Sequence, residues 1–445
     1  MQSDEKRDVR LLNGIELDKY TVIYDADDVS YSQRAAEYIS AQIKGRTSVE
    51  LTVKEDGEGP FEHEIVVGQT SRDISEALDA DTENVQFAIM ADDAHIAMEG
   101  DYFVIAAAAY YFVESYITGQ YFDSDIPKEI CIHEPITKEA KNYILMIGDG
   151  MGVYQTLLYD KMDVATSGSK AYSDGEDIFY GYLFPTYGLV RTNSLSGVTD
   201  SAAGGTALAT GYKTFNDYIG KDKDLNDVQS LTELAASLGK STAVMSTEKS
   251  TGATPATFSS HVAARGSADD ILQDQKELSE SIGTIIDCGY DYYDVEGVKK
   301  IENKVSRTLN SLLDNPNGFF FMYEEAYIDK HCHNNNAQGA FDALVRFNQV
   351  IGVVMEYAFY NPGTCVMITA DHETGALLPD AEGGYSYNNI SGNHSAHYVP
   401  IFTYGLGSER FNKTVTENIE IPKEIARLWG VVNFGQDSDY LEQQT

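Results

Sequence analysis

The chain has 445 residues, long enough for two or three domains with well-buried cores, and its 42% apolar content and 10 prolines are those of an ordinary globular protein. Its 70 acidic residues against 32 basic ones leave a formal net charge of −38, which opposes nucleic-acid backbones and anionic membranes, so no nucleic acid is expected as a specific partner. An enzyme this acidic that handles an anionic substrate needs concentrated local positive charge, and bound metal ions are the strongest local source. Solubility or adaptation to salt accounts for the remaining acidity.

No stretch approaches the ~18 apolar residues of a membrane span. The start, MQSDEKRDVR, has no apolar signal core. The expected location is extracellular, periplasmic or cell-envelope after removal of a signal, or else cytoplasmic. Cys131, Cys288, Cys332 and Cys365 are scattered without a CxxC and read as buried thiols rather than a disulfide framework.

Residues 15–135 alternate short apolar strands with helices: YTVIYD, the amphipathic SQRAAEYISAQIKG, then VELTV, EIVVG, FAIM, HIAM and YFVIA. The last runs into a helical AAAAYYFVESYITG. This predicts a small α/β accessory domain over residues 1–137. EIVVGQTSR followed by GDYFVIA resembles the α/β domain found ahead of some glycosidase barrels. CIHEPITKEAKN reads as a linker into a second domain, 138–445. From Asn142 onward come near-continuous apolar strands: YILMIGDG, YGLVRTN, TAVMSTE, FFFMYEE, CVMITADHE and VPIFTYG. With helical stretches between them, they predict an α/β fold with a mostly parallel central sheet and helices on both faces. Ligands gather beyond the carboxyl ends of such strands, and those ends carry Asp149, Glu324, Asp371 and His372.

TDSAAGGTALATGYKT, residues 199–214, puts Ser201 at the head of a run of small residues. Small side chains let a helix begin against a bulky ligand, aiming free N–H groups and the helix dipole at an anion. A hydroxyl there is a candidate nucleophile, yet no histidine lies near it in sequence. Most of the nine histidines fall from His261 onward, several beside carboxylates. A helix over YIDKHCH would place Asp329 and His333 on one face, a normal pair of zinc ligands. His331 would point elsewhere, and Cys332 reads as a buried thiol. Asp371 and His372 can both turn onto one ion at a strand-to-loop junction, His394 sits in a loop feeding the last strand, and His397 is a weaker candidate. So many acids at one sheet edge would bury uncompensated like charges unless cations were present. Two ions ~3.5–4 Å apart could clamp the oxygens of an in-line displacement.

In order and internal spacing, these motifs resemble those of the alkaline phosphatase family over residues 142–407. The resemblance implies two zinc ions and one magnesium. Asp149 in IGDGMG would bridge zinc and magnesium, and Ser201 would be the metal-bound nucleophile that is phosphorylated. Thr254 and Arg265 in GATPATFSSHVAARG would be a magnesium ligand and the phosphate-gripping arginine. Glu324 in MYEEAYIDKHCH would complete the magnesium site. Asp329, His333 and His394 would hold the first zinc, and Asp371 and His372 the second. Lys330 resembles a lysine that some members place near the phosphate. Phosphate monoesters are the implied substrates, with inorganic phosphate as product inhibitor and a homodimer as the common assembly. Elementary chemistry agrees: zinc ionises a hydroxyl without a histidine base, Arg265 offers a planar fork, and magnesium suits oxygen ligands.

The chain also departs from the family pattern. Gly252, two residues before Thr254, stands where members often have Asp or His. A smaller outer shell for the third metal is expected, with Lys330 freer to approach the phosphate. The short segment between Asp371 and His394 predicts an open, unselective site. Arg265 could instead cap or pair on a helix over ATFSSHVAARG. A phosphodiesterase or sulfatase on the same scaffold would use a threonine or modified cysteine, which DSAAGG does not offer. A carbohydrate- or surface-binding protein with a vestigial phosphatase domain is a further alternative, against which every ligand position is intact.

Overall fold

In the computed structural model of this chain, the described residues are 11–27, 29–78, 87–100, 103–118, 126, 128, 131–133, 140–161, 179–184, 186–290, 295–361, 363–379, 385–387, 392–411 and 414–436. They fall into two compact units, Met1–Lys138 with Phe359–Pro362, and Glu139–Ala358 with Gly363–Thr445. The first unit carries strands β1 (Thr21–Tyr24), β2 (Thr52–Glu55), β3 (Glu64–Val67), β4 (Phe87–Ala91), β5 (His95–Glu99) and β6 (Cys131–His133). Their order is β2-β1-β3-β5-β4-β6, with β4 antiparallel to both of its neighbours. Helix α1 (Arg34–Thr47) follows β1, and α2 spans Phe103–Phe112. Two sequence expectations fail here. YFVIA is helical from Phe103, because a short apolar run carries no period of its own and the alanines after it extend the helix. The start of CIHEPITKEAKN is the edge strand β6, not linker.

The second unit is built on β7 (Asn142–Gly148), β8 (Thr186–Arg191), β9 (Ser241–Ser246), β10 (Ile285–Cys288), β11 (Phe319–Glu325), β12 (Thr364–Thr369), the short pair β13 (Glu373–Thr374) and β14 (His394–Ser395), then β15 (Val399–Gly405) and β16 (Val415–Glu417). The eight-stranded sheet has the order β10-β9-β11-β7-β12-β15-β8-β16. Only β15 runs antiparallel, between β12 and β8. The fold is thus the expected α/β architecture with a mostly parallel central sheet. Every residue of β7, β11 and β15 is buried, so both faces of the sheet are covered and the strands can be apolar throughout. The carboxyl ends of β9, β11, β7 and β12 lie side by side, with Ser246 opposite Glu324, Glu324 opposite Ile147 and Ile147 opposite Thr369.

The helices that bear on this edge are α3 (Ser201–Thr210), α4 (Leu231–Ser237), α5 (Ala253–Thr257), α6 (Ala268–Ile282), α7 (Tyr327–His333) and α8 (Ala337–Tyr360). Fully buried Arg346 of α8 pairs with Glu325, its Nε lying 2.7 Å from Oε2. Glu325 is therefore compensated within the protein, whereas its neighbour Glu324 is not.

Candidate active site

Helix α3 begins at Ser201 because Asp200 caps it, its side chain accepting the Ala203 N–H at 2.9 Å. A Cβ on Gly204 would stand 2.7 Å from the Asp371 carbonyl oxygen. Glycine there lets α3 press against the loop after β12, so the small residues serve helix packing as well as the helix start. The close approach brings together groups far apart in sequence, leaving Ser201 Oγ 3.1 Å from His372 Nε2.

Three oxygens crowd that one ring nitrogen. Besides the serine, Asp371 Oδ2 lies at 3.3 Å and Asp149 Oδ1 at 3.4 Å. Asp371 Oδ1 accepts from the His372 and Gly150 backbones, but Asp371 Oδ2 and Asp149 Oδ1 are buried without hydrogen-bond partners. Thr254 Oγ1 and Glu324 Oε1 are orphaned in the same way. Such groups are costly to bury, and four at one sheet edge call for a cation. Burial and the neighbouring Asp371 and Asp329 push Asp149 well above the usual carboxylate range. Burial and Glu248 do the same to Glu324, and burial with Asp329 raises Asp371 to about 7.

A second cluster adjoins the first. His333 Nε2 lies 3.2 Å from Asp329 Oδ2, one helical turn away on α7, and 3.2 Å from His394 Nε2. His394 Nε2 is 3.6 Å from Asp329 Oδ1. The β13–β14 pairing, with Thr374 opposite His394, carries His394 to this place. Each ring spends its other nitrogen on a carbonyl, His333 Nδ1 donating to Gly392 at 2.6 Å and His394 Nδ1 to Thr199 at 2.8 Å. In the neutral rings both Nε2 lone pairs then face one another, an arrangement a cation stabilises. Positive charge plays the same part when it sits on the rings: despite burial, protonated His333 donating to Asp329, with His372 and His394 close by, holds that carboxyl far below the usual range. Carboxylates with imidazoles suit zinc, and the oxygen set of Asp149, Thr254 and Glu324 suits magnesium.

Arg265 is not on a helix. Helix α5 stops at Thr257, where the Thr257 and Ser259 hydroxyls donate to the carbonyls of Thr254 and Pro255 at 2.7 Å. Arg265 stands in the loop beyond, and its Nη1 donates to Asp200 Oδ2 at 3.1 Å. Lys330 is not freed by Gly252. Its ammonium pairs with Glu248 at 2.7 Å and lies 4.3 Å from the Tyr327 ring centre. His331 lies against Asn336 outside the clusters, and His397 is exposed beside Glu373. Cys332 is a buried thiol pushed up to about 12 by burial. Three residues of the site escaped the sequence reading. Asp200 fixes both nucleophile helix and arginine, and Glu248 holds Lys330. Thr374 donates to Asp329 Oδ1 at 2.5 Å and stands 3.2 Å from His372 Nδ1, joining the two clusters. Only the N-cap position of Asp200 was legible as a signal.

All of these residues fall within 140–296 and 293–423, which match the alkaline phosphatase family profile. The chain belongs to the alkaline phosphatase family. Alkaline phosphatase 4 of Bacillus subtilis is 27% identical over 347 residues, 65% of this chain and 71% of that relative. Alkaline phosphatase 3 of the same organism is 27% identical over 300 residues, 56% of this chain and 64% of its own length. The solved alkaline phosphatase of the Antarctic bacterium TAB5 is 27% identical, aligns over 67% of this chain and 99% of its own, and gives a TM-score of 0.55. A point mutant of that protein is described with magnesium bound in its M3 site. This alkaline phosphatase is thus a metal-dependent hydrolase of phosphate monoesters. Its N-terminal six-stranded unit precedes the matched residues. Among the described residues, no helix is long and apolar enough to cross a membrane.

Proposed function

We propose that this phosphatase works through a covalent phosphoserine at Ser201, with two zinc ions and one magnesium beside it. Asp371, His372, Asp149 and the Ser201 hydroxyl would hold one zinc, and Asp329, His333 and His394 the other. Asp149, Thr254 and Glu324 would hold the magnesium. The observation that carries the reading is the crowding of Ser201 Oγ, Asp149 Oδ1 and Asp371 Oδ2 around His372 Nε2, with the carboxylate oxygens left unpartnered. When bound, such ions lower the pKa of a coordinated hydroxyl and offset negative charge on the phosphate and leaving oxygens.

Ser201 attacks phosphorus in line, its Oγ–P bond forming as the ester P–O bond breaks, and the proton Ser201 gives up balances the one the departing alcohol gains. The Arg265 fork takes two non-bridging oxygens, and the free N–H groups at the head of the ten-residue helix α3 face the same anion. Water then attacks the phosphoserine, Ser201 regains its proton, and inorganic phosphate leaves. Because phosphate fits the same groups, it is a product inhibitor.

His372 at 3.1 Å from Ser201 Oγ supports a second reading, in which it is a general base. Burial and the nearby His394 push its pKa well below 6.5, which keeps the ring neutral but makes it a weak base. That reading leaves the orphaned carboxylates unexplained. Side-by-side turnover of a chromogenic phosphate monoester, diester and sulfate tests the activity, with the monoester expected to dominate. Chelated protein should lose turnover and phosphoserine labelling together, and Zn²⁺ with Mg²⁺ should restore both. Labelling that persists in chelated protein favours the His372 base, and labelling that persists in Ser201→Ala excludes Ser201 as the nucleophile.

A further inference from the structure

Building on the oxygen-ligated cation proposed at Asp149, Thr254 and Glu324, the geometry points to Glu248 as an additional carboxylate serving that cation, seated in the volume that a side chain at position 252 would occupy. Glu248 follows the end of β9, whose last residue Ser246 pairs in register with Glu324. The Glu248 backbone N–H donates to Ser246 Oγ at 3.0 Å, and the same hydroxyl donates to Glu324 Oε2. One serine thus fixes both acidic residues. Glu248 Oε2 takes the Lys330 ammonium at 2.7 Å. Its Oε1 and Cδ fill the place where a Cβ on Gly252 would stand. Gly252 has φ −60 and ψ 156, angles open to any residue, so the backbone does not demand glycine there. The room for a carboxylate does.

The charges point the same way. Glu248 contributes the largest electrostatic push on Glu324 and also acts on Asp149. Lys330 pairs with Glu248 and acts on Glu324, while Glu324 Oε1, Asp149 Oδ1 and the Thr254 hydroxyl stay without hydrogen-bond partners. The negative charge of buried Asp149 and Glu324 with partly buried Glu248 is stabilised by a cation. The carboxylate that a side chain at 252 could have supplied arrives instead from four residues upstream.

Magnesium titrated into the zinc-loaded, magnesium-free protein, read by binding heat and by melting temperature, tests this. Glu248→Gln, which keeps size and shape, should weaken magnesium binding roughly tenfold or more, the usual consequence of losing a partner beyond the direct ligands. Gly252→Ala should also weaken it, because the methyl displaces the carboxylate. The double change Glu248→Ala with Gly252→Asp returns a carboxylate from the 252 side and should recover most of the loss. Magnesium affinity unchanged in both single variants overturns the role of Glu248 and leaves the phosphatase reading intact. Absence of saturable magnesium binding in the unaltered protein overturns the third cation site itself, and Glu248 with it.

Discussion

Asp200 shows how much one side chain beside the nucleophile can organise. One oxygen accepts the Ala203 N–H and starts α3, while the other accepts from Arg265 at 3.1 Å and from the Asp217 N–H at 3.1 Å. Removing it has two separable effects. Loss of the cap costs about 1 kcal/mol of stability. Loss of the anchor frees an arginine carrying about 2 kcal/mol of rotamer entropy, which phosphate binding must then freeze. Asp200→Ala should therefore lower the melting temperature by a few degrees and weaken inhibition by inorganic phosphate roughly tenfold. Asp200→Asn can still accept from Ala203, so its melting temperature should stay near that of the unaltered protein while phosphate inhibition weakens. If phosphate inhibits Asp200→Ala as strongly as before, Asp200 does not position Arg265.

At the level of elements, the loop carrying Arg265 is pinned by His261. Its backbone N–H donates to Asp274 of α6, its Nδ1 to the Gly220 carbonyl at 2.9 Å, and its Nε2 meets Glu233 of α4 at 3.1 Å. With a carbonyl and a carboxylate as partners, both ring nitrogens donate, so the ring is held as imidazolium. Burial works against that charge, but Glu233, with Asp227 nearby, outweighs it and the pKa is raised above 6.5. A raised folded-state pKa contributes stability that is complete below the unfolded value and lost as pH rises through the folded one. In the metal-saturated protein, the melting temperature should fall more as pH rises above about 6.5 than it does in His261→Gln. Parallel pH curves for the two proteins would show that the ring carries no charge there. The sequence announces the strands well, because buried parallel strands are nearly continuous apolar runs and their polar ends stand out. Its alternative of a helix reaching Arg265 fails, since only tertiary packing decides that Ser and Thr hydroxyls take the last carbonyls of α5. The meeting of Ser201 with His372 was legible only through the family resemblance, since it depends on Gly204 admitting the Asp371 backbone, and the turning of Glu248 toward Gly252 was not legible at all.

Over the whole molecule, a net charge of −38 stands against a substrate that is itself a dianion. The attraction at the site is local: Arg265, Lys330 and the proposed cations act over a few ångströms on a phosphate already seated. The repulsion is long-ranged, summed over 70 acidic side chains against 32 basic ones. Salt discriminates between the two, because the screening length shrinks from about 30 Å at 0.01 M to about 10 Å at 0.1 M, while contacts in a partly buried site are screened much less. Raising the ionic strength over that interval with a non-coordinating salt should therefore increase kcat/KM, which reports the encounter, by a factor of roughly 2–10, with kcat little changed. Replacing a group of acidic residues remote from the site by their amides should flatten the dependence in proportion to the charge removed. A kcat/KM that falls steadily with salt would mean that the local cations dominate the approach as well as the chemistry. The acidity of the surface would then be irrelevant to how the substrate arrives.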